Sequence, residues 1–190
     1  MMVHKRKWLP MIVLALLVLA SCSRGVENSN EPAPPSVPVI ATGNGEIVGG
    51  HLGPEGGRLN LAPNGPSVAI PAGTAGPQGL SISLVKDNEA GVPAGGVHIG
   101  PPFRVSRPLD PPSGKAIEVS ITLTALPAEC AASDLRLAIE TPGNTGLTPS
   151  PSAPALQWQF ERADTQAGQA VARLPRLWGM RLQFLCGPRS

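Results

Sequence analysis

Apolar residues recur at every second position in short runs, and Gly, Pro and Asn separate the runs. Between Gly56 and Lys86 there are three of them. Leu59 and Leu61 share one face, as do Val68 and Ile70, and Leu80, Ile82 and Leu84 alternate with Ser81 and Ser83. A period of two over polar turns predicts half-buried strands. Pro71 and Gly73 stop the second run, because proline cannot donate to a ladder. Residues 116–124 form the cleanest strand, with Ile117, Val119, Ile121 and Leu123 on one side and Glu118, Ser120, Thr122 and Thr124 on the other. Four aliphatic side chains at roughly 1.5–3 kcal/mol each place this strand at the centre of the core. Leu135, Leu137 and Ile139 repeat the pattern, with Arg136 and Glu140 outward. Residues 141–155 read as a Pro/Gly/Ser loop. After it, Leu156, Trp158 and Phe160 alternate with Gln157, Gln159 and Glu161. A hairpin turn over Asp164–Gly168, a strand over Gln169–Leu174 and a closing run with Trp178, Met180, Leu182 and Phe184 complete the set. The pattern predicts an all-β fold, an antiparallel β-sandwich over residues 47–190.

The first 46 residues lack this alternation. His4, Lys5, Arg6 and Lys7 precede an apolar run from Met11 to Ala20. The run is too short to span a bilayer comfortably and has the layout of a signal peptide over residues 1–21. It ends in Leu19-Ala20-Ser21-Cys22, which resembles the lipobox of bacterial lipoproteins. The resemblance implies that Cys22 becomes the first residue and receives a diacylglycerol on its thiol. Acyl chains contribute roughly 0.8 kcal/mol per buried CH₂, so two or three of them anchor a protein stably. An ordinary cleaved signal peptide with an incidental cysteine is the alternative. Ser23 stands where an Asp would imply inner-membrane retention, so the expected address is the bacterial outer membrane. Residues 22–46 then read as a tether, with Pro32, Pro34, Pro35 and Pro38 among Ser, Asn and Glu, partly polyproline II at about 3.1 Å per residue.

A second resemblance lies inside the sandwich. A glycine turn, a short strand, Val68-Ala69-Ile70-Pro71-Ala72-Gly73, a short loop and an Ile-x-Leu strand resemble the ZU-five domain shared by ankyrins and netrin receptors. Ile99-Gly100-Pro101-Pro102-Phe103 with Pro108, and then Ala116 to Leu126, continue the likeness, which covers about residues 50–127. Residues 134–186 resemble the strands that follow that signature in related proteins. In some of those relatives a final hairpin carries His-Phe-Ser and cleaves its own backbone. Here Leu174-Pro175-Arg176-Leu177-Trp178 stands in that place, with neither His nor Ser. Ile47-Val48-Gly49-Gly50 matches the first residues of mature trypsin-like proteases, yet the rest of that enzyme is missing.

Charge and chemistry narrow the function further. The formal charge is +2, but removing residues 1–21 takes away three basic residues and leaves 12 basic and 13 acidic ones. A nearly neutral chain with no Lys/Arg cluster has no footprint for nucleic acid. With no Tyr, three Phe and three Trp, it also lacks a stacking platform for single strands. Beyond Cys22, Cys130 and Cys186 form an even pair for an oxidising compartment. Cys186 shares phase with Leu182 and Phe184, so a Cys130–Cys186 disulfide is expected; two free or metal-bound thiols are the alternative. His51 and His98 have no ligand-spaced Cys or carboxylate beside them, so no metal site and no cofactor are expected. Ser67 and Ser113 lack a nucleophile elbow, and no catalytic residue is nominated. Trp158 and Trp178 read as core aromatics, with a sugar site as the alternative. The expected function is a lipid-anchored, non-catalytic binding or structural module with an envelope protein or glycan as partner. A self-cleaving or otherwise enzymatic sandwich is the alternative.

Overall fold

The computed structural model describes residues 37–88, 93, 95–141, 157–178 and 181–187. Two six-stranded sheets face each other. Sheet A runs β1 (Val39–Thr42), β3 (Gly57–Asn60), β4 (Ser67–Ile70), β7 (Ile117–Thr122), β11 (Gln169–Leu174) and β10 (Asp164–Gln166). Sheet B runs β2 (Ile47–Leu52), β5 (Leu80–Lys86), β6 (Val97–Val105), β12 (Arg181–Cys186), β8 (Leu135–Thr141) and β9 (Gln157–Arg162). Every pairing is antiparallel except β1 with β3. The chain changes sheet repeatedly, and the edge strands β1 and β2, like the edge strands β9 and β10, are consecutive in sequence, so consecutive strands form both lateral corners.

The alternating runs fill the space between the sheets, and the all-β sandwich is the architecture observed. Leu59, Val68, Ile70, Ile117 and Val119 from sheet A meet Leu52, Leu84, Phe103, Leu135, Leu137, Leu182 and Phe184 from sheet B in one buried cluster. β7 lies between β4 and β11, the central place its four-aliphatic face requires. The tight turn of the β10–β11 hairpin has Ala167 at φ 48° and Gly168 at φ 75°. Gln166 stands opposite Gln169 across it, the two-residue geometry in which both central residues take positive φ.

Three features depart from the expectation. The tether does not extend to residue 46. Val39–Thr42 form β1, and the Arg58 amide donates to the Pro38 carbonyl at 2.8 Å. The cause is a socket: a Cβ on Gly50 or on Gly57 would run into the Ile40 side chain, so those two glycines make the space that Ile40 fills. The second departure is β9. Its apolar side, Trp158 and Phe160, points away from the core, and Phe160 is 53% exposed. Phe160 stands opposite Ala138 and Trp158 opposite Glu140, and Ala138 and Glu140 belong to the outward side of β8. Pairing in this register decides the direction of the rings. The third departure is Trp178, which is 57% exposed, beneath the Arg176 guanidinium at 5.6 Å. Neither tryptophan is a core aromatic. Leu156, Met180 and residues 142–155 lie outside the described residues, as do residues 1–36, which include Cys22 and most of the tether.

β6 carries two consecutive prolines within a sheet. Phe103 pairs with Leu182 and Ile99 with Phe184, so Gly100, Pro101 and Pro102 together stand opposite Gln183 alone. This three-against-one arrangement is a special bulge, and it leaves carbonyls without strand partners. The Gln183 side-chain amide supplies the donors, from Nε2 to Gly100 O at 3.0 Å and Phe184 O at 2.7 Å, with Ile99 O at 3.4 Å. Gly100 has φ +67°, and a Cβ there would strike Ile121, so the bulge requires glycine.

Candidate functional site

The outward face of sheet B around β12 concentrates charge and aromatic surface. All six residues of β12 are buried, although only Leu182, Phe184 and Cys186 belong to the core side. Arg181 and Gln183 point outward and are nevertheless 4% and 0% exposed. A second layer, polar and aromatic, therefore lies on this face.

Asp87 organises it. Arg104 and Arg181 stand directly opposite each other on β6 and β12, a like-charge pairing that destabilises a sheet unless it is neutralised. Asp87 Oδ2 lies 2.5 Å from Arg104 Nε and 2.9 Å from Arg181 Nε. The Asp87 amide donates to Pro102 O at 2.9 Å, which fixes the carboxylate beside the bulge. Burial alone pushes the Asp87 carboxyl up. The Asn88 amide, the Arg104 hydrogen bond and the charges of Arg181 and Arg104 outweigh it and hold the group below the usual aspartate value. Arg181 Nη2 also donates to the Asn88 carbonyl and lies 3.3 Å from Asn88 Oδ1. The Arg181 guanidinium sits 6.0 Å from the centroid of the Trp158 ring, within cation–π range. Trp158 and Phe160 then carry the surface out to β9, the edge of sheet B. Chemically, the arrangement offers an arginine pair neutralised by one carboxylate, flanked by the half-buried Trp158 and the exposed Phe160.

The cysteines lie elsewhere. Cys130 and Cys186 form a disulfide with Cα atoms 5.6 Å apart, closing a separation of 56 residues. It ties the loop before β8 to the end of β12. Beside it lies an open cleft of about 470 Å³, lined by Gly95, Gly96, Val97, Ala128, Glu129 and Gly187. Its lining offers one carboxylate and mostly backbone. His51 is on β2 and His98 on β6, where the His98 Nε2 lies 3.1 Å from Pro93 O. Among the described residues no group of three His, Cys, Asp or Glu converges on a metal position.

Ser67 and Ser120 face each other on the outward side of sheet A, with their hydroxyl oxygens 2.8 Å apart; they satisfy one another. The segment after β11 is held by a bridge in which Leu109 and Leu177 exchange two hydrogen bonds of 2.8 Å. The Arg104–Asp87–Arg181 group was missed in the sequence, and its signal was faint: an Arg on each of two strands and an acid just past the end of a third. No known family model matches this chain, and no curated protein matches it.

Proposed function

We propose that this chain is a lipid-anchored bacterial envelope protein whose sandwich serves as a non-catalytic binding or structural module. The observation that carries the reading is Leu19-Ala20-Ser21-Cys22 at the end of a short apolar run behind a basic start. The resemblance of residues 50–127 to the non-enzymatic part of ZU-five sandwiches, without the His-Phe-Ser hairpin of the self-cleaving relatives, supports the second half. So does the outward aromatic side of β9, since exposed aromatics on a rigid support are the usual anchors of an interface. The partner is an envelope protein or a glycan, and Ser23 after Cys22 favours the outer membrane.

The anchor is tested by the intact mass of the protein extracted from bacterial membranes. The expected product begins at Cys22 and carries acyl chains, and Cys22→Ala abolishes both the acylation and the membrane fractionation. A product cut elsewhere and bearing no lipid overturns the anchor. The binding half is tested by cross-linking in cells with Trp158→Ala beside the parent. A reproducible envelope partner weakened by Trp158→Ala is expected, and partners indifferent to that change overturn the assignment of this face.

A further inference from the structure

We propose that β9 is a self-association edge: two copies pair β9 against β9, antiparallel about a two-fold axis at Phe160. This joins two copies of sheet B into one continuous sheet. The inference goes beyond the reading above and stands independently of the anchor: the second copy takes the backbone edge of β9, and the outward ring faces of the same strand are left to the envelope partner.

Four observations carry it. First, β9 ends sheet B, and among the described residues its only ladder partner is β8. An edge strand presents unpaired backbone donors and acceptors, and soluble proteins blunt such edges with proline, bulges or inward charges. β9, Gln157–Arg162, has no proline, its pairing with β8 runs without a bulge, and its one core-side charge, Glu161, is exposed to solvent instead of entering the core. Second, the strand overhangs the sandwich. Gln159 and Glu161 on the core side are exposed, and so are Phe160 and Arg162 on the outward side. Third, the strand puts its largest apolar groups where the fold does not bury them. Phe160 is 53% exposed.

The fourth observation is that the sequence of the strand is complementary to its own reverse. With the axis at Phe160, Phe160 meets Phe160 of the second copy. Trp158 meets Arg162 and Gln159 meets Glu161, each pair occurring twice by symmetry. The rows are aromatic on aromatic, guanidinium on indole, and amide on carboxylate, all favourable cross-strand pairs. Moving the axis one residue toward the C-terminus would oppose Glu161 to Glu161, a like-charge pair. A two-fold contact of this kind is closed and yields a dimer, not a filament.

The register makes the test sharp. Residues directly opposite in an antiparallel pair have Cα atoms about 4.5–5.5 Å apart, within disulfide reach, whereas positions more than about 7 Å apart cannot be bridged. The full-length chain bearing Phe160→Cys is expressed in a bacterial host, treated with a mild oxidant and run without reductant, with Gln159→Cys alongside. The expected result is efficient dimer cross-linking through Phe160→Cys and several-fold less through Gln159→Cys, which is also exposed but not opposite itself. The detergent-extracted parent should sediment as a dimer, and Phe160→Lys, which places two ammonium groups across the axis, as a monomer. A parent that is monomeric at all concentrations overturns the proposal. So does cross-linking that is equal at the two positions or stronger through Gln159→Cys, and so does capture of a different protein in place of the second copy.

Discussion

β7 and β9 have the same grammar and opposite fates. β7 alternates apolar and polar residues over six positions and β9 over five, Gln157 to Glu161. In β7, Ile117, Val119 and Ile121 turn inward to the centre of the core. In β9, Trp158 and Phe160 turn outward, over a face that contains Arg181 and Gln183. Period two says which residues share a side, but not which side is wet. That choice is made by the neighbour. β7 is flanked by β4 and β11, both apolar toward sheet B. β9 has a single neighbour, whose outward Ala138 lies opposite Phe160.

The comparison can be broken most forcefully by equal truncations in the two strands. Ile117 is fully buried, and Ile117→Ala should cost about 2–5 kcal/mol by lost transfer energy and cavity formation. Phe160→Ala, measured by the same chemical denaturation under monomeric conditions, should cost less than about 1 kcal/mol. Equal losses would mean that β9 is also a core strand.

The next test asks whether the outward layer of sheet B is itself a structural unit. Arg181→Ala leaves Asp87 with one partner fewer in a largely buried setting and should cost about 3 kcal/mol. The stabilisation from Asp87 also carries a pH signature. Its folded value is lowered, so the contribution is fully present above the unfolded value near pH 4 and is lost as pH falls through the folded value. Acid titration of the parent should show this loss, and Asp87→Asn should remove that part of the slope.

Gln183→Ala is expected to cost about 1–3 kcal/mol, because it strips the donor from the carbonyls of the β6 bulge. Gln183→Leu should be as harmful, which would distinguish a polar role from simple filling. The smallest effect concerns the hairpin beyond β9. Ala167 holds φ 48°, and Ala167→Gly should stabilise by roughly 0.5–1 kcal/mol in thermal unfolding by relieving that conformation.

Much of the fold was legible because its cues are local. Strand positions follow from alternation and stop signals, as in Ser67–Ile70 before Pro71. The phase of Cys186 with Leu182 and Phe184 pointed it toward the core and toward Cys130. β1 was not legible, because its Ile40 socket is created by two glycines on two other strands, and a missing side chain leaves no periodic trace. The candidate site was not legible either. Asp87, Arg104 and Arg181 are unremarkable polar residues in sequence, and only the β6–β12 register places the two arginines against each other. Trp158 was expected as a core aromatic, and its outward direction, like that of Phe160, is set by Glu140 and Ala138 opposite them on β8, which carry little hydrophobic signal of their own.

The disulfide has a mechanical consequence. Strands β8 to β12 all lie between Cys130 and Cys186. Tension applied to the two ends of the chain therefore passes through the sulfur bridge and bypasses those strands. Pulling can draw out β1 to β7, but it cannot lengthen the looped half while the bridge is intact. At about 3.3–3.6 Å per residue, the 56-residue separation withholds roughly 190 Å of contour. A reductant would release that length in a single step.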